Sequence, residues 1–312
     1  MLFEDLNSLG SKREPFLFIT DFKASTVEII LLKDLKDKNI EFFIDENFKP
    51  IAHKNILKKI PITFKEYKKK FDKVIERIKA GDTYLLNLTA KTKIETPLTL
   101  KEIFKSANAH YKLRYKDKFI CFSPEKFIQI KNDRINTYPM KGTINASVID
   151  AKENILNNEK EMAEHVMVVD LLRNDLSIVA TDVKVEEFRY ITEIEAGDKK
   201  LLQVSSHISG YVGDDWHERV GDILESLLPA GSISGTPKKN TLKIIEEIEN
   251  YDRGFFTGVF GVYDGNMLDS GVMIRFIEKY DEGLIYKSGG GITLDSNALS
   301  EYNELLDKVY LP

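Results

Sequence analysis

Gly258-Val-Phe-Gly-Val-Tyr263, Val272-Met-Ile-Arg-Phe-Ile277 and Leu284-Ile-Tyr-Lys287 are three short apolar runs with brief connections between them. Runs of this length and composition read as strands, and strands so close in sequence pair antiparallel, because a parallel pair needs a long crossover. Helical segments flank them, Pro237 to Glu249 before and Asn297 to Tyr310 after. Further upstream, Val183 to Ile191 and Leu201 to Val212 are also of strand type. They follow a long helical pattern from Glu159 to about Leu176, whose Met162, Val166, Val169 and Leu172 recur at helical spacing and predict a buried stripe. The fold class is therefore α+β, with large antiparallel sheets.

The N-terminal third continues this alternation. Between Phe16 and Ile51, the runs Phe16 to Ile19, Val27 to Leu32 and Ile40 to Ile44 read as successive strands. Thr63-Phe-Lys-Glu66 and Thr99-Leu-Lys-Glu102 each carry the capping-box pattern, in which a threonine and the acid three residues on satisfy each other's backbone N–H. The first opens a helix over Tyr67, Phe71, Ile75 and Ile78 that stops at Gly81, and the second a shorter helix. Phe119 to Phe122, Phe127 to Ile130 and Arg134 to Tyr138 are again strand-like. No repeat, low-complexity tract or composition shift marks a boundary, so 1–312 reads as one domain.

Composition excludes several classes of function. With 42% hydrophobic and 30% charged residues the chain is globular rather than disordered. Its 45 Lys+Arg against 50 Asp+Glu give a net charge of -5, which is no footprint for nucleic acid. There is one cysteine, Cys121, and the five histidines form no zinc-finger spacing, which points to the cytoplasm. Neither a signal peptide nor a membrane span is expected.

Three constellations bear on chemistry. Glu161-Met-Ala-Glu164 and Glu301-Tyr-Asn-Glu304 each place two carboxylates three residues apart on one helix face. Such pairs are ordinarily solvated helix surface, yet one or two carboxylates completed by water and substrate are also what Mg2+ takes. Ser288-Gly-Gly-Gly-Ile292 reads either as a tight strand-to-helix turn or as a cradle of backbone N–H groups for an anion. Tyr138-Pro-Met-Lys-Gly-Thr143 places a lysine at a strand end, where a confined amine can act as a nucleophile, although lysines in turns are usually solvated. Pro229-Ala-Gly-Ser-Ile-Ser-Gly-Thr-Pro-Lys238 lacks the spacing of a nucleotide-binding P-loop.

Taken together and in order, these blocks resemble the chorismate-utilising enzymes, the family of anthranilate synthase component I, aminodeoxychorismate synthase component I and the isochorismate and salicylate synthases. The resemblance also rests on Gly81-Asp-Thr-Tyr-Leu-Leu-Asn-Leu-Thr89, Ser123-Pro-Glu-Lys-Phe127, Lys160-Glu-Met-Ala-Glu-His165 and Val169-Asp-Leu-Leu-Arg-Asn-Asp175. It covers residues 61–312 as the family core, with 1–60 as a shortened N-terminal part. It implies two large, mainly antiparallel sheets packed together with helices outside.

It further implies that Glu161, Glu164, Glu301 and Glu304 hold Mg2+ against the ring carboxylate of chorismate. Arg275 and the amides of Gly289, Gly290 and Gly291 would bind the pyruvyl carboxylate, with Lys238 and Gln203 as further substrate contacts. Lys141 matches the lysine of the aminodeoxychorismate synthases, where anthranilate synthases usually carry alanine. The implied roles are nucleophile for Lys141, general acid/base for Glu125 and positioning for Thr143. Gln203 and Phe256 stand where much of the family has histidine and tyrosine. His165, beside the acidic pair, reads as structural or as support for the ligands. Neither a tryptophan-binding Leu-Leu-Glu-Ser motif nor a glutaminase cysteine is present, and Cys121 reads as core. The expected nitrogen source is free ammonia or a separate glutamine amidotransferase subunit, and no fused lyase is expected.

Overall fold

The computed structural model describes residues 2–44, 56–107, 109–196 and 199–311; the end of the Phe16 to Ile51 stretch, from 45 on, lies outside them. In chain order the elements are α1 (Glu4–Ser11), β1 (Phe16–Thr20), β2 (Val27–Leu31), β3 (Ile40–Ile44), β4 (Lys58–Pro61), α2 (Phe64–Lys79), β5 (Leu85–Glu95) and α3 (Leu100–Ser106). Strands β6 (Tyr111–Tyr115), β7 (Phe119–Ser123), β8 (Lys126–Lys131), β9 (Arg134–Thr137) and β10 (Met140–Asn145) lead to α4 (Ala151–Leu156) and α5 (Glu159–Val179). The hairpin β11 (Thr181–Ala196) and β12 (Lys199–Tyr211) precedes α6 (Val220–Leu227), β13 (Gly235–Thr236) and α7 (Lys238–Glu249). The chain closes with β14 (Val259–Tyr263), β15 (Leu268–Val272), β16 (Phe276–Tyr280), β17 (Gly283–Ile292) and α8 (Ala298–Asp307).

Two antiparallel sheets result. One runs β10-β12-β9-β8-β15-β14-β1-β2 with β11 beside β12, and the other runs β13-β5-β17-β16-β7-β6-β3 with β4 beside β5. The N-terminal strands are shared out between them: β1 continues the first sheet from β14, and β3 pairs with β6 in the second. Alternation along single strands shows how the layers stack. Leu17 and Ile19 of β1 join Cys121, Phe119 and Phe276 of the second sheet in one buried cluster, while Phe16 and Phe18 face the helix-covered core on the other side. In β7, Ile120 and Phe122 face away from the first sheet and meet Ile103 and Phe104 of α3. Both capping boxes form, with Thr63 and Thr99 each exchanging bonds with the glutamate three residues on.

Three expectations are corrected. First, Val272 to Ile277 is two strands rather than one. The chain leaves the first sheet after Val272, turns at Arg275 with φ +52°, and enters the second sheet at Phe276. A left-handed conformation is costly for a residue with a Cβ and breaks the strand there. Second, the α5 stripe is displaced: Val169 and Leu172 are buried, but Met162 and Val166 are exposed, and His165, Val168 and Leu176 complete the inward face. Both sets fit helical spacing, and the sheet covers the one that begins at His165, whose Nε2 meets the Ser206 hydroxyl at 2.7 Å. Third, Ser288 to Ile292 is not a turn. All three glycines belong to β17 and pair residue by residue with β5.

Candidate active site

A cavity of about 290 Å³ opens where both sheets meet α5 and α8. Lys141 reaches it from β10 by way of a bulge. Met140 pairs with Ser205 and Thr143 with Gln203, so β10 carries one extra residue, and Gly142 takes it up at φ +85°. Bulges re-aim side chains, and the left-handed position suits glycine. A Cβ on Gly142 would also stand 3.3 Å from Oε2 of Glu161. The Lys141 ammonium is half-buried and lies 3.4 Å from Oε2 of Glu164.

Glu161 and Glu164 line the cavity from α5, and Glu301 and Glu304 line it from α8. The α8 pair faces the backbone of Gly290: a Cβ there would be 3.6 Å from Oε2 of Glu301 and from Oε1 of Glu304. These are hard oxygen donors of the kind Mg2+ prefers. Among the described residues no three acidic, histidine or cysteine side chains gather closely enough for a cage made by the protein alone. The donor set fits an ion that keeps water and takes further ligands from a substrate.

Glu125 immediately precedes β8, and its carboxylate accepts a hydrogen bond from the Ser232 hydroxyl. Burial raises its pKa above the usual carboxylate range, against the Ser232 bond and the positive charges of Lys141, Lys308 and Arg275. Arg275 presents its guanidinium from the crossing between the sheets, stacked 5.4 Å from the Tyr310 ring, and its Nε is buried without a hydrogen-bond partner. A guanidinium so placed can take a carboxylate with two parallel bonds.

The three glycines of β17 also line the cavity. Pairing with β16 ends at Lys287, so from Ser288 on only the β5 side is occupied. Backbone groups alternate sides along an antiparallel strand, which leaves some N–H groups of this stretch open toward the cavity. The lack of side chains serves close approach. A Cβ on Gly289 would lie 2.5 Å from the Leu88 carbonyl, and one on Gly291 would lie 3.4 Å from Lys141 Nζ.

Thr143, Gln203 and Phe256 are on the same wall system, with Thr143 exposed at the rim and Phe256 buried. Lys238 is placed elsewhere. It does not line the cavity, and its ammonium is bound by both carboxylate oxygens of Asp175, at 3.1 and 3.0 Å, and by the Leu227 carbonyl. His165 also lies outside the lining; burial lowers its pKa to about 4. Cys121 is buried in the cluster between the sheets.

Lys308 and Ser232 are among the lining residues that were not anticipated. Lys308 pairs with Glu304 at 2.6 Å and donates to the Gly289 carbonyl at 2.9 Å. Its position one helical turn beyond Glu304 was the available signal. Ser232 lies within the Pro229 to Lys238 block, but nothing in its spacing pointed to Glu125.

The family model described as chorismate binding enzyme matches residues 37–311. This chain belongs to the chorismate binding enzyme family. It is 47% identical over 313 residues to an "Uncharacterized PabA-like protein" of Haemophilus influenzae, covering 99% of this chain and 95% of that one. It is 34% identical over 260 residues to "Aminodeoxychorismate synthase component 1" of Salmonella typhimurium, covering 78% of this chain and 56% of that one. Among solved structures, the 2,3-dihydroxybenzoate-specific isochorismate synthase from Bacillus anthracis superposes with a TM-score of 0.72 at 19% identity, over 98% of this chain and 85% of that one. That last likeness concerns the fold alone. The family match begins at residue 37, so it takes in β3 and β4 as well as everything from residue 61 on.

Proposed function

We propose that this chorismate binding enzyme aminates chorismate at C4 to 4-amino-4-deoxychorismate, on the route to 4-aminobenzoate and folate. The observation that carries the proposal is Lys141, a lysine aimed by a bulge into the cavity that also holds Glu125 and Arg275. Arg275 and the open backbone of β17 bind and orient the carboxylates. Mg2+, held by the glutamate pairs with water and the ring carboxylate, would neutralise the substrate's charge.

In the first step Nζ of Lys141 bonds to C2, the ring electrons shift, and the C4–O bond breaks. Glu125 gives its proton to the departing hydroxyl, which leaves as water. Its raised pKa favours the protonated form that this step needs. The amine proton released by Lys141 has an acceptor in the Glu164 carboxylate 3.4 Å away. Ammonia then bonds to C4 and passes a proton to Glu125, the C2–N bond breaks as Glu164 returns its proton to Nζ, and Lys141 is an amine again. Two displacements give net retention at C4.

The ammonia is proposed to come from a separate glutamine amidotransferase subunit. No helix among the described residues is long and apolar enough to cross a membrane, and a cytoplasmic location is part of the proposal.

The test is to incubate the chain with chorismate, Mg2+ and ammonium and to identify the product by mass and retention time. The expected product is 4-amino-4-deoxychorismate, absent with Lys141→Ala. Anthranilate as the product would replace this reading with the anthranilate synthase reaction. Absence of turnover would leave a chorismate-binding subunit.

A further inference from the structure

The 229–237 segment touches the cavity through Ser232 and Ile233 only, yet it is anchored more heavily than that contact requires. Its two ends leave α6 and enter α7, and Lys238 joins them, because one ammonium binds the Leu227 carbonyl at the end of α6 while itself opening α7. A cation in the first turn of a helix opposes the helix dipole, so Lys238 needs a compensating anion. Asp175 of α5 supplies it with both oxygens. The segment lies directly on that carboxylate: a Cβ on Gly231 would stand 2.8 Å from Oδ2 of Asp175. Ser234 ties the turn internally by donating to the Ala230 carbonyl at 2.9 Å, and Arg253 donates to the Ile233 carbonyl at 3.0 Å. The next residue along from Gly231 is Ser232, whose hydroxyl donates to Oε1 of Glu125. Among the described residues this is the hydrogen bond that the Glu125 carboxyl makes.

We propose that Lys238 and Asp175 are positioning residues for Glu125: clamping the 229–237 segment against α5, they hold the Ser232 hydroxyl on Oε1 and leave Oε2 as the oxygen that carries the proton. The inference rests on the reading of Glu125 as proton donor and extends it to groups that never touch the substrate. A hydroxyl donor on one oxygen favours the carboxylate and directs the proton to the other oxygen. The charges facing Glu125 most directly are Lys141 from β10, Lys308 from α8 and Arg275 from the crossing between β15 and β16, with the four glutamates, Lys126 of β8 and Lys287 of β17 in the same cavity. Ser232 is therefore a neutral contributor among strong fields, and its effect can be read separately.

The experiment is a ¹³C NMR titration of the Glu125 carboxyl carbon in the substrate-free chain, its signal assigned by its loss in Glu125→Gln. Ser232→Ala removes the donor and is expected to raise the Glu125 pKa by about one pH unit. Asp175→Asn and Lys238→Met release the segment and are expected to move it in the same direction, with nothing further gained by adding either to Ser232→Ala. In turnover with chorismate, Mg2+ and ammonium, all three lower kcat with KM little changed. If Lys238→Met does not fold, Asp175→Asn, which keeps the shape of the side chain, carries the same measurement. A Lys238→Met that raises KM while Glu125 titrates as in the wild type overturns the proposal and makes Lys238 a ligand. An unmoved titration in Ser232→Ala overturns it as well. Full activity in Glu125→Gln would instead sink the underlying reading of Glu125, whatever the titrations show.

Discussion

Lys141 and Glu164 meet at 3.4 Å across the gap between β10 and α5, so the amine proposed to attack the substrate is paired with a carboxylate proposed to hold the metal. Both charges lie in one cavity with Glu161. Removing the cation should strengthen the site's hold on a divalent ion, because the lysine and the ion compete for the same field. Lys141→Ala is expected to bind Mg2+ more tightly than the wild type by calorimetry while losing amination. Equal or weaker Mg2+ binding would separate Lys141 from the metal site.

Glu125 gives a prediction whose sign is fixed by its burial. Its folded-state pKa is raised, so the protonated form favours folding; that contribution is complete below the ordinary carboxylate range and is lost as pH rises through the raised value. Above that point the wild type carries the cost of a buried carboxylate, and Glu125→Gln does not. The variant should therefore melt higher than the wild type at mildly alkaline pH, with the gap closing as the solution is acidified. Its kcat should fall by about a hundredfold or more. A lower melting temperature than the wild type at alkaline pH would contradict the assignment.

Neighbouring glycines of β17 should behave differently. A Cβ on Gly290 meets only ordinary contacts at 3.6 Å, from Glu301, Glu304 and Lys308, whereas one on Gly289 runs into the Leu88 carbonyl at 2.5 Å. Gly290→Ala should melt close to the wild type but raise KM for chorismate, since it takes space in the cavity. Gly289→Ala should lose about 1–3 kcal/mol of stability by strain between β17 and β5. Urea unfolding of the two variants beside steady-state kinetics makes the comparison, and equal stability in both would count against the strand geometry.

His217 offers a pH test far from the cavity. It is buried against Trp216, with ring centroids 3.8 Å apart, and its Nδ1 meets the Tyr263 hydroxyl at 2.7 Å. Burial, helped by Arg13, lowers its pKa from the ordinary imidazole value of 6.5 to about 4. The neutral ring therefore supports folding above about pH 6.5, and that support drains away as pH falls toward 4, because the unfolded chain takes the proton first. In that window His217→Gln should reduce the slope of stability against pH by up to about 1.4 kcal/mol per pH unit. An unchanged slope in urea titrations would place a proton on His217 in the folded state.

The sequence carried the features that depend on local spacing. Thr63 and Thr99 announce their helices because a capping box is complete within four residues, and Glu161 with Glu164 or Glu301 with Glu304 share a face by helix geometry alone. It did not carry what depends on the neighbour. Val272 to Ile277 is apolar on both sides of Arg275, because each flank enters a buried strand, so the pattern reads as one strand and does not mark the passage from one sheet to the other. Met162 and Val166 obey the same periodicity as the residues that are buried, and only the sheet decides between them. Lys238 travels with the cavity residues in sequence, but Asp175 intercepts it. The bulge at Gly142 needed the partner strand β12 to exist before it had meaning.

The pairing of β1 with β14 joins residues 16–19 to residues 260–263, and β8 joins β15 over a shorter but still long separation, residues 126–130 to residues 268–271. During synthesis the first sheet cannot close until its last strands leave the ribosome. Until then β1 and β8 each present an unpaired flank whose alternate side chains are destined for the interior. Contacts this distant in sequence fold late and leave sticky edges exposed meanwhile. The nascent chain thus spends most of its translation as a partly assembled sheet, and its yield in a cell will depend on what shelters those edges before β14 and β15 arrive.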